Sequence, residues 1–169
     1  MASVTIERLH DFPIDGLDAL LADSEQTGSR IVRRLVDEWA CGPNRFDRSG
    51  EGLFAARIGG RLVGICGLNV DPFAPEQRVG RVRHLYVLSA VRRLGVGRAL
   101  VAEVVDAARG VFDNLHLRTR NPEAARLYEA FGFRPAGGAA DYTHIMKVAS
   151  ASPSFAVQRA ERADSGGLA

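Results

Sequence analysis

The stretch Val91-Arg92-Arg93-Leu94-Gly95-Val96-Gly97-Arg98-Ala99-Leu100, VRRLGVGRAL, joins a run with strand character to a run with helical spacing. Ahead of it, Val79 to Ser89 (VGRVRHLYVLS) reads as a strand. Behind it, Val96, Leu100, Val101, Val104, Val105 and Ala108 fall on one helical face, and Gly110 closes the run. A turn of this kind sits at the carboxyl end of a strand, where open α/β sheets bind ligands. Gly95 and Gly97 carry no Cβ, so an anion can approach the free N–H groups at the helix start. Arg92, Arg93 and Arg98 add charge at the rim. The turn therefore reads as a phosphate cradle, or, on its glycines alone, as a tight connection with no ligand.

Working outward, Val4 to His10 alternates as a first strand. Leu17, Leu20 and Leu21, then Ile31, Val32, Leu35, Val36 and Trp39, mark two helices, the second stopped by Gly42-Pro43. Two apolar runs meet at Gly59-Gly60, where both turn positions can take positive φ, so a hairpin is predicted. Asp71 to Gln77 is a Pro-rich loop. Downstream, Asn114 to Thr119 is a fifth strand and Tyr142 to Val148 a last one. Between them NPEAARLYEAFGF is a short helix. Asn121 suits its N-cap, Pro122 its first position and Gly132 a left-handed residue after its end. The order β-α-α-β-β-β-α-β-α-β predicts an α/β (α+β) fold, a mixed sheet with helices on its faces.

Composition narrows the class. The 169 residues suit one domain, and 46% hydrophobic with 25% charged residues is ordinary for a globular chain. A net charge of +2 gives no reason to expect nucleic acid or a membrane surface as partner. Lys147 is the sole lysine among 22 basic residues, which reads as composition bias. Cys41 and Cys66 show neither a C-x-x-C pair nor metal-ligand spacing, so no metal is expected. Cys66, inside an apolar run, reads as a small buried hydrophobe. With no disulfide framework, no signal-peptide core and no run of transmembrane length, the expected place is the cytoplasm. The domain is expected over residues 1–148, and 149–169, which loses periodicity, as a mobile tail in preference to a short partner-docking arm.

Among nucleotide signatures, G-x-G-x-x-G fails at Leu100, and no Gly-Lys-Ser/Thr follows the turn. What remains is R-x-x-G-x-G at Arg92, Gly95 and Gly97. With this motif the chain resembles the GCN5-related N-acetyltransferase superfamily. The segment Asn121, Ala124, Leu127, Tyr128, Gly132 and Phe133 matches that family's second island, and the resemblance runs from about Val4 to Val148.

The resemblance implies a mostly antiparallel sheet of six to seven strands with about four helices, of the acyl-CoA N-acyltransferase type. It implies acetyl-CoA as cosubstrate. Leu85, Tyr86 and Val87 would offer backbone groups to the pantetheine arm. The turn from Arg92 and Arg93 through Leu94, Gly95, Val96, Gly97 and Arg98 would hold the pyrophosphate, with Asn121 beside the pantetheine. Tyr128 would be the general acid, since a phenol of pKa ~10 is a neutral donor at pH 7. As a plain core aromatic it would fill the same helix face. Its direction is expected to be fixed by Phe133 packing back on it.

Many relatives carry a glutamate base where this chain has Arg81, and an arginine is no base near neutral pH. Glu51, Asp71, Glu76, His84 and His144 remain as candidates, with strict alternation placing His84 on the strand face opposite Arg81. Arg81 and Arg83 share a face, either as solvated residues or as a grip on a carboxylate or phosphate of the acceptor. Trp39 reads as a buried aromatic or as a wall of that cleft. The function expected is transfer of acetyl to a primary amine of a small metabolite or peptide. The alternative is a non-catalytic acyl-CoA sensor. A homodimer is compatible with the sequence, though no feature specifies one.

Overall fold

In the computed structural model, which describes residues 2–76, 78–138 and 141–150, the glycine pairs do what their freedom allows. Gly59 and Gly60, at φ 57° and 78°, turn β2 (Gly52–Ile58) into β3 (Arg61–Val70). Before this hairpin come β1 (Val4–Leu9), α1 (Leu17–Gln26) and α2 (Ile31–Cys41). After it come β4 (Val79–Val87), a single 3-10 turn at Ser89–Val91, and α3 (Val96–Ala108). The chain continues through β5 (Asn114–Leu117), α4 (Pro122–Ala130), β6 (Arg134–Pro135) and β7 (His144–Lys147). The two-residue β6 has no sequence signal and exists only as a rung on β7. The expected tail lies outside the described residues from position 151 onward.

The seven strands lie in the order β1-β2-β3-β4-β5-β7-β6. Every pairing is antiparallel apart from β4 with β5. This is the mixed, mostly antiparallel α/β architecture expected. α3 packs on one face: a Cβ at Gly64 would come within 3.0 Å of Leu100, so that glycine sets how near α3 sits. Fully buried Leu20, Leu35, Ile65, Leu68, Leu100 and Leu115 form the centre of the core. Cys66 lies among them, and burial pushes its thiol up to about 12, so it packs as a hydrophobe; Cys41 is exposed.

Two irregularities in β4 position the site. The parallel pairing with β5 covers only Val79–Arg81 against Asn114–His116, so beyond Arg81 the two strands part. The ladder with β3 also slips: Ile65 faces Tyr86 while Gly67 faces Arg83, leaving Cys66 opposite both His84 and Leu85. His84 takes φ 57° at this bulge. A bulge reverses the alternation of everything after it. His84 therefore shares its face with Arg83, as one carboxylate in α2 shows: Glu38 accepts from Arg83 Nη2 at 2.9 Å and lies 3.2 Å from His84 Nε2. The strict alternation that set His84 opposite Arg81 is corrected by this extra residue.

Candidate active site

The helix start is built as its residues demand. Leu88 N–H donates to Val63 O at 2.8 Å, closing the end of β4 on β3. Arg93 and Gly95 take positive φ, 65° and 85°, and α3 begins at Val96. The first intrahelical bond runs from Ala99 N–H to Gly95 O at 3.0 Å. The N–H groups of Val96, Gly97 and Arg98 precede it and have no helical acceptor. Gly97 and Arg98 border a groove of about 690 Å³ whose walls include Leu85, Val87, Asn121 and Leu127. A Cβ at Gly97 would stand 3.3 Å from Leu127 and 3.7 Å from Val87, both on the groove walls. The bare glycine keeps the floor open, and the site fits a phosphate-bearing cosubstrate.

The other cradle residues take different parts. Leu94 is exposed, while the side chain of Val96 is buried in the core. Arg92 donates from Nε to Val87 O at 3.1 Å and lies over the Tyr86 ring. Arg93 lies 3.5 Å from Glu123 across the groove, and Arg98 lies over Phe131. Asp23 of α1, which no motif marks, ties the turn to the fold. Its carboxylate accepts from Tyr86 Oη at 2.6 Å, Ser89 N at 3.0 Å and Ser89 Oγ at 2.5 Å. Desolvation would raise its pKa, but those hydrogen bonds and nearby Arg92 together hold it below the usual carboxylate value.

α4 carries its punctuation as expected. Asn121 Oδ1 accepts from Glu123 N at 2.9 Å, with Pro122 in the first turn. At the other end Gly132 has φ 104°, Gly132 N–H donates to Glu129 O and Phe133 N–H to Tyr128 O. Tyr128 is 6% exposed, and its hydroxyl has no hydrogen-bond partner among the described residues. Burial, with the Cys66 thiol a lesser cause, pushes its phenol well above the ordinary value. It is held as a neutral O–H.

Tyr128 faces a second cavity of about 660 Å³. This cleft shares Leu85, Asn121 and Ala124 with the groove, so the two meet where β4 has left β5. Arg81 and Arg83 both line it, each already bonded. Arg81 is buried against Asp71 at 3.4 Å, donates to Asp141 O at 2.6 Å and covers the Phe73 ring. Asp71 in turn pairs with His116 Nδ1 at 2.7 Å, and His116 stacks on Tyr142. Of the five base candidates, His84 alone lines this cleft. Glu51 accepts from Arg48 N and Val70 N elsewhere, Glu76 is exposed, Asp71 lies behind Arg81, and His144 bonds Glu129 and Thr143. Burial lowers the His84 pKa, and its Nδ1 has no partner among the described residues. Trp39 stacks on Phe12 at 4.7 Å and borders a different cavity by β1, so it is no wall of this cleft. Among the described residues no helix is long and apolar enough to cross a membrane.

The sheet thus opens beside a glycine-lined helix start, and Tyr128 lies on the wall of the second cavity. The chain belongs to the acetyltransferase (GNAT) family, whose profile matches residues 15–133. It is 37% identical over 124 residues to the N-alpha-acetyltransferase RimI of Mycobacterium tuberculosis, covering 69% of this chain and 75% of that protein. A solved structure from Exiguobacterium sp. 255-15, described as a candidate acetyltransferase, superposes with a TM-score of 0.76 at 30% identity, covering 86% of this chain and 93% of the other. The ribosomal-protein-S18-alanine N-acetyltransferase of Escherichia coli shares the fold, with a TM-score of 0.61 at 19% identity, over 90% of this chain and 99% of that one.

Proposed function

We propose that this enzyme moves the acetyl group of acetyl-CoA directly to a primary amine, the α-amine of a peptide or of a small metabolite. The observation that carries the reading is the meeting of two cavities at Leu85, Asn121 and Ala124, with the Tyr128 side chain on the wall of the second. The thioester enters along the groove, its pyrophosphate on the N–H groups of Val96, Gly97 and Arg98 and its arm along the edge of β4 that β5 does not cover. The amine enters through the cleft. Its nitrogen forms a bond to the acetyl carbon, the carbon–sulfur bond breaks, and Tyr128 gives its proton to the departing sulfur. His84, neutral and oriented by Glu38, takes the proton from the amine. The RimI relative, named as an N-alpha-acetyltransferase, supports a peptide α-amine as acceptor.

The test is calorimetric titration of acetyl-CoA, with NAD as comparison, followed by thiol release against a panel of amines. Binding of acetyl-CoA but not NAD, and thiol release that depends on an amine, is the expected result. A protein that binds neither would show that the glycine turn is a structural connection only.

A further inference from the structure

We infer that the acceptor amine carries a carboxylate close by, and that Arg34 and Arg120 hold it. This rests on the second cavity being the acceptor cleft. Among the described residues five arginines border that cleft, Arg34, Arg81, Arg83, Arg118 and Arg120, against one acidic residue, Asp141. Two are accounted for within the protein: Arg81 by Asp71 and Arg83 by Glu38. Their positions on the wall are structural as well as electrostatic, and neither guanidinium can turn to a ligand without abandoning a carboxylate. Arg34 and Arg120 differ. Both are exposed, and neither guanidinium has a hydrogen bond or ion pair among the described residues.

They also come from different elements. Arg34 projects from α2, one residue before buried Leu35, while Arg120 immediately precedes Asn121, the cap of α4. Arg34 is near enough to His84, another residue of the lining, to add a little to what disfavours its protonation. Two unpaired cations in the lining penalise a ligand that brings more positive charge and favour one that brings a carboxylate. The same field disfavours the ammonium form of the acceptor, so the amine arrives more readily as the free base that attack requires. Such an acceptor is a peptide beginning with a small residue followed by Asp or Glu, or a free amino acid whose own carboxylate lies beside its amine.

The experiment compares peptides identical apart from positions two and three, acidic, neutral or basic there, together with free glutamate, by kcat/KM from thiol release. The acidic peptides are expected to exceed the neutral ones by about tenfold, with the basic ones lowest. The advantage should shrink as salt is raised. Glutamate outpacing every peptide would place the carboxylate on a free amino acid. Arg34→Glu and Arg120→Glu should each collapse the acidic-to-neutral ratio, while calorimetry shows acetyl-CoA affinity close to that of the parent. Acidic, neutral and basic peptides acetylated alike, or a ratio untouched by both reversals, would overturn this assignment and leave the acetyltransferase reading standing. Acetyl-CoA binding with no amine acetylated would instead overturn the acceptor cleft itself.

Discussion

Phe133 stands edge-on to Tyr128, ring centroids 5.7 Å apart and planes at 65°. The contact follows from how α4 ends. Gly132 at φ 104° turns the chain back, Phe133 N–H bonds Tyr128 O at 3.2 Å, and the next side chain lands on the ring one turn earlier. A glycine and two aromatics thus fix the direction of a phenol on the wall of the second cavity.

Removing the phenolic proton donor while keeping the ring tests that aim. Tyr128→Phe should lower kcat by about 100-fold or more, with acetyl-CoA affinity by calorimetry close to the parent. A large fall in affinity with kcat preserved would mean that Tyr128 serves packing instead.

The acid limb of the kcat/KM profile should belong to His84. Burial holds its pKa below the ordinary 6.5, while Glu38 pulls it back up. The limb should therefore have its midpoint below 6.5 and move to lower pH in Glu38→Gln, which loses that upward pull. His84→Gln should abolish the limb and reduce turnover. A limb unmoved in both variants would assign the base elsewhere.

Glu38 also makes stability depend on acid. The His84 hydrogen bond, assisted by Arg83, holds its carboxyl at about 2 against an ordinary 4.5. A depressed carboxyl stabilises the fold fully above 4.5 and loses that contribution as pH falls towards about 2. Urea midpoints of the parent minus those of Glu38→Gln should be largest at neutral pH and shrink through that window. A difference independent of pH would show that Glu38 acts by packing alone.

Gly97 separates folding from binding. An added methyl would meet Leu127 at 3.3 Å, a contact a side chain can relax. Gly97→Ala should raise stability by roughly 0.5 kcal/mol, as alanine does within a helix, and weaken acetyl-CoA binding by narrowing the groove. Unchanged affinity in a titration would place the pyrophosphate away from this residue.

Positions that need an unusual backbone were legible because few residues can fill them. Gly59-Gly60, Asn121 and Gly132 announced the hairpin and both ends of α4, and the spacing around Gly95 located α3. The bulge at His84 left no such mark. Histidine takes positive φ too seldom, despite some preference for it, to announce a bulge, and one extra residue in β4 reverses which face each later side chain takes. That is why alternation misplaced the one base candidate that reaches the cleft. Asp23 was hidden for another reason: its partner Tyr86 is 63 residues away, and only the docking of α1 brings them together. The occupation of Arg81 by Asp71 and by the carbonyl of Asp141 was equally out of reach of spacing, so the unpaired cations of the cleft emerged only in three dimensions.

The parting of β4 and β5 past Arg81 bears on the order of events. The groove and the cleft are separate cavities that touch at one seam. With acetyl-CoA in the first and the amine in the second, as proposed, both reactants would be bound at once, and neither would have to leave for the other to enter. Cys66, the thiol nearest Tyr128, is sealed in the core and held protonated, so it offers no way station for the acetyl group. Initial-rate plots at varied concentrations of the two reactants should therefore give intersecting lines, the signature of a ternary complex, and no acetylated protein should be found by mass spectrometry when acetyl-CoA is supplied alone.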